Sequence, residues 1–182
     1  MMGSHTDKQL LILVDASDDV IGYDTRKACH RNHGTLHRAF SVFIFNEKKK
    51  LLIQKRSSTK QLWPLFWSNS VCGHPYYGED CHDAARRRVK EELSIDVNLK
   101  YLFKMRYQAD FNNIGSENEI CYVFWGETKD AVKANADEID DWKYIDTPRL
   151  HALLSVQPDQ FTPWFILEWN LIRKENYLDF LK

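Results

Sequence analysis

Cys81-His82-Asp83-Ala84-Ala85-Arg86-Arg87-Arg88-Val89-Lys90-Glu91-Glu92-Leu93 is the stretch whose periodicity speaks most plainly. At about 100° per residue, Cys81, Ala84, Ala85 and Val89 fall on one helical arc, and Asp80 just ahead is a natural N-cap. Asp83, Arg86, Arg87 and Lys90 fall opposite or on the flanks, where solvent is expected. Arg88 and Glu92 land in the middle of the apolar arc. Buried charge is costly unless it is paired or holds a metal. The two side chains therefore read either as a sealed i, i+4 salt bridge or as part of a functional site.

Outward from this helix, strands are expected over Leu10 to Ala16 and Val20 to Tyr23 around a Ser17-Asp18-Asp19 turn. Leu36 to Asn46 and Lys50 to Lys55 read as two more, joined by Asn46-Glu47-Lys48-Lys49. Tyr101 to Ala109 and Glu119 to Gly126 flank a loop with Asn112, Asn113 and Gly115, and Trp142 to Ile145 is a short strand. Thr147-Pro148 opens a helix through His151, and Thr162-Pro163 caps a long closing helix from Trp164 to Leu181. Strands and helices mix without regular βαβ alternation. The expected class is α/β in the broad α+β sense, an α/β/α sandwich on a mixed sheet.

The chain has 182 residues, 43% hydrophobic and 28% charged, which suits a single domain over 1–182 with residues 1–8 a flexible N-terminus. A net charge of −1 provides no field for nucleic acid or an acidic membrane surface, so an anionic ligand must be held by a local pocket. No apolar run approaches the roughly 20 residues of a membrane span, and Met1 to Lys8 lacks the apolar core of a signal peptide. Cys29, Cys72, Cys81 and Cys121 form no CxxC pair. Reduced thiols in a cytoplasmic chain are expected.

Gly73-x5-Glu79-x7-Arg87, followed by Val89, Glu91-Glu92 and Ile95, resembles a Nudix box. The resemblance implies a loop and helix whose carboxylates hold a divalent ion against a diphosphate. Two positions depart from the family pattern: Arg88 stands in place of a glutamate and Ser94 in place of a glycine. Replacing a carboxylate with a cation implies contact between Arg88 and the phosphate itself.

Just upstream, Trp67-Ser68-Asn69-Ser70-Val71-Cys72-Gly73-His74-Pro75 resembles the TNxxCxHP signature of the type 1 isopentenyl diphosphate isomerases, with Ser68 for threonine. His30-x6-His37, Glu117-Asn118-Glu119 and Thr162-Pro163-Trp164 are similar to further elements of that family, and together they run from about Gly22 to Trp164. The resemblance implies an isomerase that moves an allylic double bond, with Cys72 and Glu119 as opposed acid/base groups and Tyr107 assisting Glu119. It implies that Trp164 faces the cationic intermediate. Arg26, Arg56, Lys60 and Arg88 align with phosphate contacts, with Lys27 as the alternative to Arg26.

His30, His37, His74, Glu117 and Glu119 are nitrogen and oxygen donors suited to one divalent ion: manganese, zinc or magnesium. Glu117 and Glu119 are two apart, so on a strand they share a face with Cys121, Val123 and Trp125. Glu92 is the carboxylate expected to share a second ion, magnesium, with the substrate diphosphate. The expected partner is a small-molecule diphosphate, with no nucleic acid or membrane, and the expected state is a monomer. Two rivals are a Nudix hydrolase, disfavoured by Arg88, and a non-catalytic binding domain in which Cys72 and Glu119 are dispensable.

Overall fold

Along β3 (His37–Asn46) alternate side chains enter two separate cores. Ala39, Phe43 and Phe45 pack on one face of the sheet, and Phe40, Val42 and Ile44 on the other. This is the two-residue period of a strand covered on both sides. A computed structural model gives the architecture and describes residues 10–175 and residue 177.

β3 is also the hub of the sheet. It pairs antiparallel with β1 (Leu10–Val14), β4 (Leu51–Arg56) and β6 (Val71–Gly73). It pairs parallel with β8 (Gly115–Thr128) from His37↔Glu119 to Asn46↔Thr128. β2 (Val20–Thr25) edges β1, and β5 (Trp67–Ser68) and β9 (Ile139–Ile145) flank β4. β7 (Lys100–Phe111) forms a long hairpin with β8.

α2 (Cys81–Leu93) covers the Phe40/Val42/Ile44 face with Cys81, Ala84, Ala85, Val89 and Leu93. Asp80 caps it by accepting from the His82 amide at 2.7 Å. Ser94 closes it in the left-handed region at φ +58°, a conformation that favours glycine and accounts for the usual residue there. α3 (Thr147–Val156) and α4 (Pro163–Lys174) cover the opposite face with Leu150, Leu154, Phe165, Trp169 and Ile172. The layers are α/β/α around a mixed sheet, as the sequence predicts.

Several boundaries differ from expectation. α3 runs on to Val156, whereas α4 stops at Lys174; the expected continuation to Leu181 crosses residues 176 and 178–182, which lie outside the described residues, as do residues 1–8. β7 and β8 reach further into their hairpin, so Gly115 and Glu117 are strand residues. The four-residue helix α1 (Arg26–Cys29) and the strands β5 and β6 are too short to carry a period. All four cysteines are free thiols. Among the described residues no helix is long and apolar enough to cross a membrane.

Candidate active site and metal centre

Three histidines reach one point from three places in the chain. His30 caps the C-terminus of α1, whose own N-cap is Thr25; Thr25 Oγ1 accepts from the Ala28 amide at 3.3 Å. His37 opens β3, and His74 follows β6. Their ring centroids lie 4.9 to 5.1 Å apart. Nδ1 of His30 binds the Arg26 carbonyl and Nδ1 of His37 the Thr35 carbonyl, both at 2.7 Å. A carbonyl can only accept, so in both rings Nδ1 carries the proton, and in the neutral ring Nε2 is the nitrogen with a lone pair for a metal.

The parallel register sets Glu119 beside His37, and the two-residue strand period puts Glu117 on the same face. Gly115 permits the approach: a Cβ there would meet the His30 carbonyl oxygen at 2.4 Å, and the next amide, Ser116 N–H, donates to that oxygen at 3.0 Å. The result is a buried cluster of His30, His37, His74, Glu117 and Glu119 whose donor atoms all lie within 4.8 Å of one another.

The donor set fits a divalent cation. His30 Nε2 and Glu117 Oε2 stand 2.8 Å apart without hydrogen-bond geometry, and with His37 Nε2 they are buried atoms left without a hydrogen-bond partner. Buried polar atoms are almost always satisfied, and these converging nitrogen and oxygen donors are a set that could hold a divalent ion. Burial, reinforced by the His37 and His30 rings, holds His74 well below the usual imidazole range, which keeps it neutral as a ligand must be.

Glu119 is gripped at both oxygens. Oε1 lies 2.8 Å from His74 Nε2 and 3.5 Å from His37 Nε2, while Oε2 accepts from the Tyr107 hydroxyl at 2.5 Å. Burial and the nearby Glu119 charge push the Tyr107 phenol well up, so it stays a donor. Burial would raise the Glu119 carboxyl, but the nearby His37 ring and the Tyr107 hydroxyl outweigh that and hold it below the usual carboxylate range.

The cleft beside this cluster is lined by Cys72, Tyr107, Glu119, Trp164, Arg26, Arg56, Lys60 and Arg88. Cys72 sits on β6 opposite Ser41 of β3. Burial pushes its thiol up to about 12, with the Arg56 guanidinium pulling the other way. Trp164 opens α4 with its indole N–H donating to Asn69 Oδ1 at 3.2 Å. Ser68 donates to the same oxygen at 2.9 Å and bonds Thr162 at 2.9 Å, so serine supplies the hydroxyl that threonine has in the signature.

The basic residues are more committed than the sequence suggests. Arg88 pairs with Glu92 at 2.5 Å, Glu91 at 2.9 Å and Glu138 at 3.2 Å, and Lys60 pairs with Glu138. Glu92 is buried and also accepts from Gln54 at 3.1 Å. The sealed salt bridge and the site turn out to be one object: Arg88 lines the cleft while Glu92 braces it from behind. Arg26 lines both this cleft and a neighbouring one; Lys27 lines the neighbour. Glu79 accepts two bonds from Arg87 at 2.7 and 2.9 Å, which leaves Arg87 half-buried. Sequence reasoning missed Ser41, Tyr76 and Glu138 in the lining, and for Glu138 no periodic signal existed in its polar stretch.

Residues 35–165 match the NUDIX domain family. The chain is 36% identical to isopentenyl-diphosphate Delta-isomerase 1 of Photorhabdus laumondii over 92% of its own length and 96% of that protein's. It is 41% identical to the enzyme of that name from Aromatoleum aromaticum, over 85% of this chain and 86% of the relative. A crystal structure from Deinococcus radiodurans superposes with a TM-score of 0.68 at 23% identity, covering 82% of this chain and 90% of that one, which shows the shared fold. With full-length identity added to the match over the box and the sheet, the chain belongs to the isopentenyl-diphosphate Delta-isomerases of the NUDIX domain family.

Proposed function

We propose that this single-domain protein interconverts isopentenyl diphosphate and dimethylallyl diphosphate by protonating one end of an allylic unit and deprotonating the other. The carrying observation is that Cys72 and Glu119 line one cleft, together with Trp164 and the basic residues Arg26, Arg56, Lys60 and Arg88. An alkene is a weak base, and protonating it creates a tertiary cation. The reaction needs two proton carriers around the hydrocarbon and a surface that tolerates positive charge.

Cys72 and Glu119 are the two carriers. Tyr107 holds Glu119 Oε2 and orients the carboxyl, and Trp164, fixed by Asn69, offers its ring to the cation. Arg26, Arg56, Lys60 and Arg88 receive the diphosphate at the mouth, with Glu138 and Glu92 holding Lys60 and Arg88 in place. The ion held by His30, His37, His74, Glu117 and Glu119, manganese, zinc or magnesium, would offset the two buried carboxylates and tune the acidity of Glu119. Glu92, whose two oxygens take Arg88 and Gln54, is the carboxylate that a magnesium ion arriving with the substrate would draw from those partners. The reading extends to a cytoplasmic monomer that acts on this small diphosphate alone.

Incubation with isopentenyl diphosphate in deuterated water, followed by NMR, tests the proposal. Dimethylallyl diphosphate carrying solvent deuterium is expected from the metal-loaded protein, and no product from Cys72→Ala, Glu119→Gln or chelated protein. Wild-type rates in either variant would overturn the assignment of the carriers. Phosphate release without isomerisation would make the protein a hydrolase instead.

A further inference from the structure

Three carboxylates crowd the Arg88 guanidinium. Its Nη1 lies 2.9 Å from Glu91 Oε2, and its Nη2 lies 2.5 Å from Glu92 Oε1 and 3.2 Å from Glu138 Oε2. Of the three, Glu138 is the one that lines the cleft. Glu91 stands exposed on the helix, and Glu92 is buried with its second oxygen held by Gln54. The same Glu138 oxygen, Oε2, also takes the Lys60 ammonium. One oxygen therefore bridges two cations from different elements: Lys60 belongs to the loop between β4 and β5, and Arg88 to α2. An oxygen of a bound phosphate would make the same bridge. Burial works against the charge on Glu138, yet Lys60 and then Arg88 keep it ionised at neutral pH.

The backbone around this carboxylate is fixed. The Glu138 carbonyl accepts from the Ser57 amide at 2.9 Å, and its own amide donates to the Asn135 carbonyl at 3.0 Å. The Asn135 amide donates in turn to the Glu92 carbonyl at 2.8 Å. The segment ahead of β9 is thus stitched to both elements that supply the cations, and the side chain is what remains to move. It is partly exposed, and it lines the neighbouring cleft as well, so rotation about its own torsions can carry the carboxylate out of the way. A phosphate reaching for Lys60 and Arg88 meets this anion first. Like charges held side by side in a cleft repel, so carboxylate and phosphate compete for one position.

We propose that Glu138 is an internal competitor of the substrate: its carboxylate stands in the phosphate position between Lys60 and Arg88 and swings aside when a diphosphate binds. The role rests on the reading above, in which these two cations receive the diphosphate. Substrate and product carry the same diphosphate, so the returning carboxylate helps to expel the product. It holds down an affinity that both share and leaves the proton shift alone.

Calorimetric titration of the metal-loaded protein with inorganic pyrophosphate at fixed magnesium tests this without turnover. Glu138→Gln keeps the shape and a carbonyl acceptor for the cations but carries no charge. Its dissociation constant is expected on the order of tenfold below the wild-type value, with KM for isopentenyl diphosphate falling alongside and kcat no higher. A residue that merely held the cations in place would act with the opposite sign. Equal or weaker pyrophosphate binding by a folded Glu138→Gln therefore overturns the proposal. Wild-type protein crystallised with pyrophosphate and magnesium gives a second reading. Glu138 Oε2 is expected to have left both Lys60 and Arg88, and a carboxylate that keeps both contacts beside bound pyrophosphate overturns the proposal too. A wild-type protein that binds no pyrophosphate would overturn the diphosphate reading itself instead.

Discussion

The Arg56 guanidinium stands 3.8 Å from the Cys72 sulfur through Nη1 while its other nitrogens are spent elsewhere. Nε donates to the Trp63 carbonyl at 3.0 Å and Nη2 to the Leu62 carbonyl at 2.9 Å. Trp63 and Leu65 both adopt positive φ, +47° and +63°, in the loop that follows β4. One fork therefore clamps a bent loop and sets the electrostatics of the thiol.

Arg56→Lys keeps the charge and loses the fork. Two buried carbonyls lose their donors, so stability should fall by about 1–3 kcal/mol in urea unfolding. Turnover should fall as well, since Trp63 packs edge-on against Trp164 at 5.2 Å.

Tyr107→Phe removes the donor to Glu119 Oε2 and leaves the tilted ring contact with Trp164, 6.2 Å between centroids. A kcat loss of roughly 10–100-fold is expected, the range found when a partner of a metal ligand is removed. Metal content by elemental analysis should stay at the wild-type level, because the five donor residues are untouched.

Ser94→Gly should stabilise the protein. The left-handed conformation costs a non-glycine residue about 1–2 kcal/mol, and glycine's extra freedom in the unfolded chain returns part of that. A net gain of about 0.5–1 kcal/mol should appear as a higher denaturation midpoint with an unchanged slope.

Glu138 gives the fold an acid-sensitive joint. Burial would raise its carboxyl, but Lys60 and then Arg88 hold it down at about 2 against the usual 4.5. A carboxyl with a depressed folded pKa contributes stability above its unfolded value and loses it as pH falls through the folded one. Wild type should weaken progressively from about pH 4.5 down to about 2. In Glu138→Gln that decline should be shallower, with lower stability at pH 7, both read from unfolding midpoints across pH.

Where burial and periodicity agree, the sequence is transparent. The α2 helix could be placed to the residue because its apolar arc and the Asp80 cap point the same way. The start of β8 was harder to see because Ser116, Glu117 and Asn118 are polar, although the strand begins at Gly115. A strand that buries ligands in place of aliphatics inverts the usual pattern. The candidate site residues are legible through motifs, but their engagements are not. That Arg88 and Lys60 share Glu138 depends on the antiparallel register of β4 with β9, which no local pattern encodes.

The side-by-side pairing of β3 with β8 also dictates when this enzyme can come alive. His37 and Glu119 meet across the sheet although most of the chain's other strands are threaded between them in sequence. During synthesis the imidazoles emerge well before either carboxylate, and closing so long a loop is entropically slow. A ribosome-bound fragment ending before Gly115 should fail to capture the cation. Any later breathing of that one strand pair would separate His37 from Glu119 and so break up the donor cluster and the proposed proton carrier in the same event.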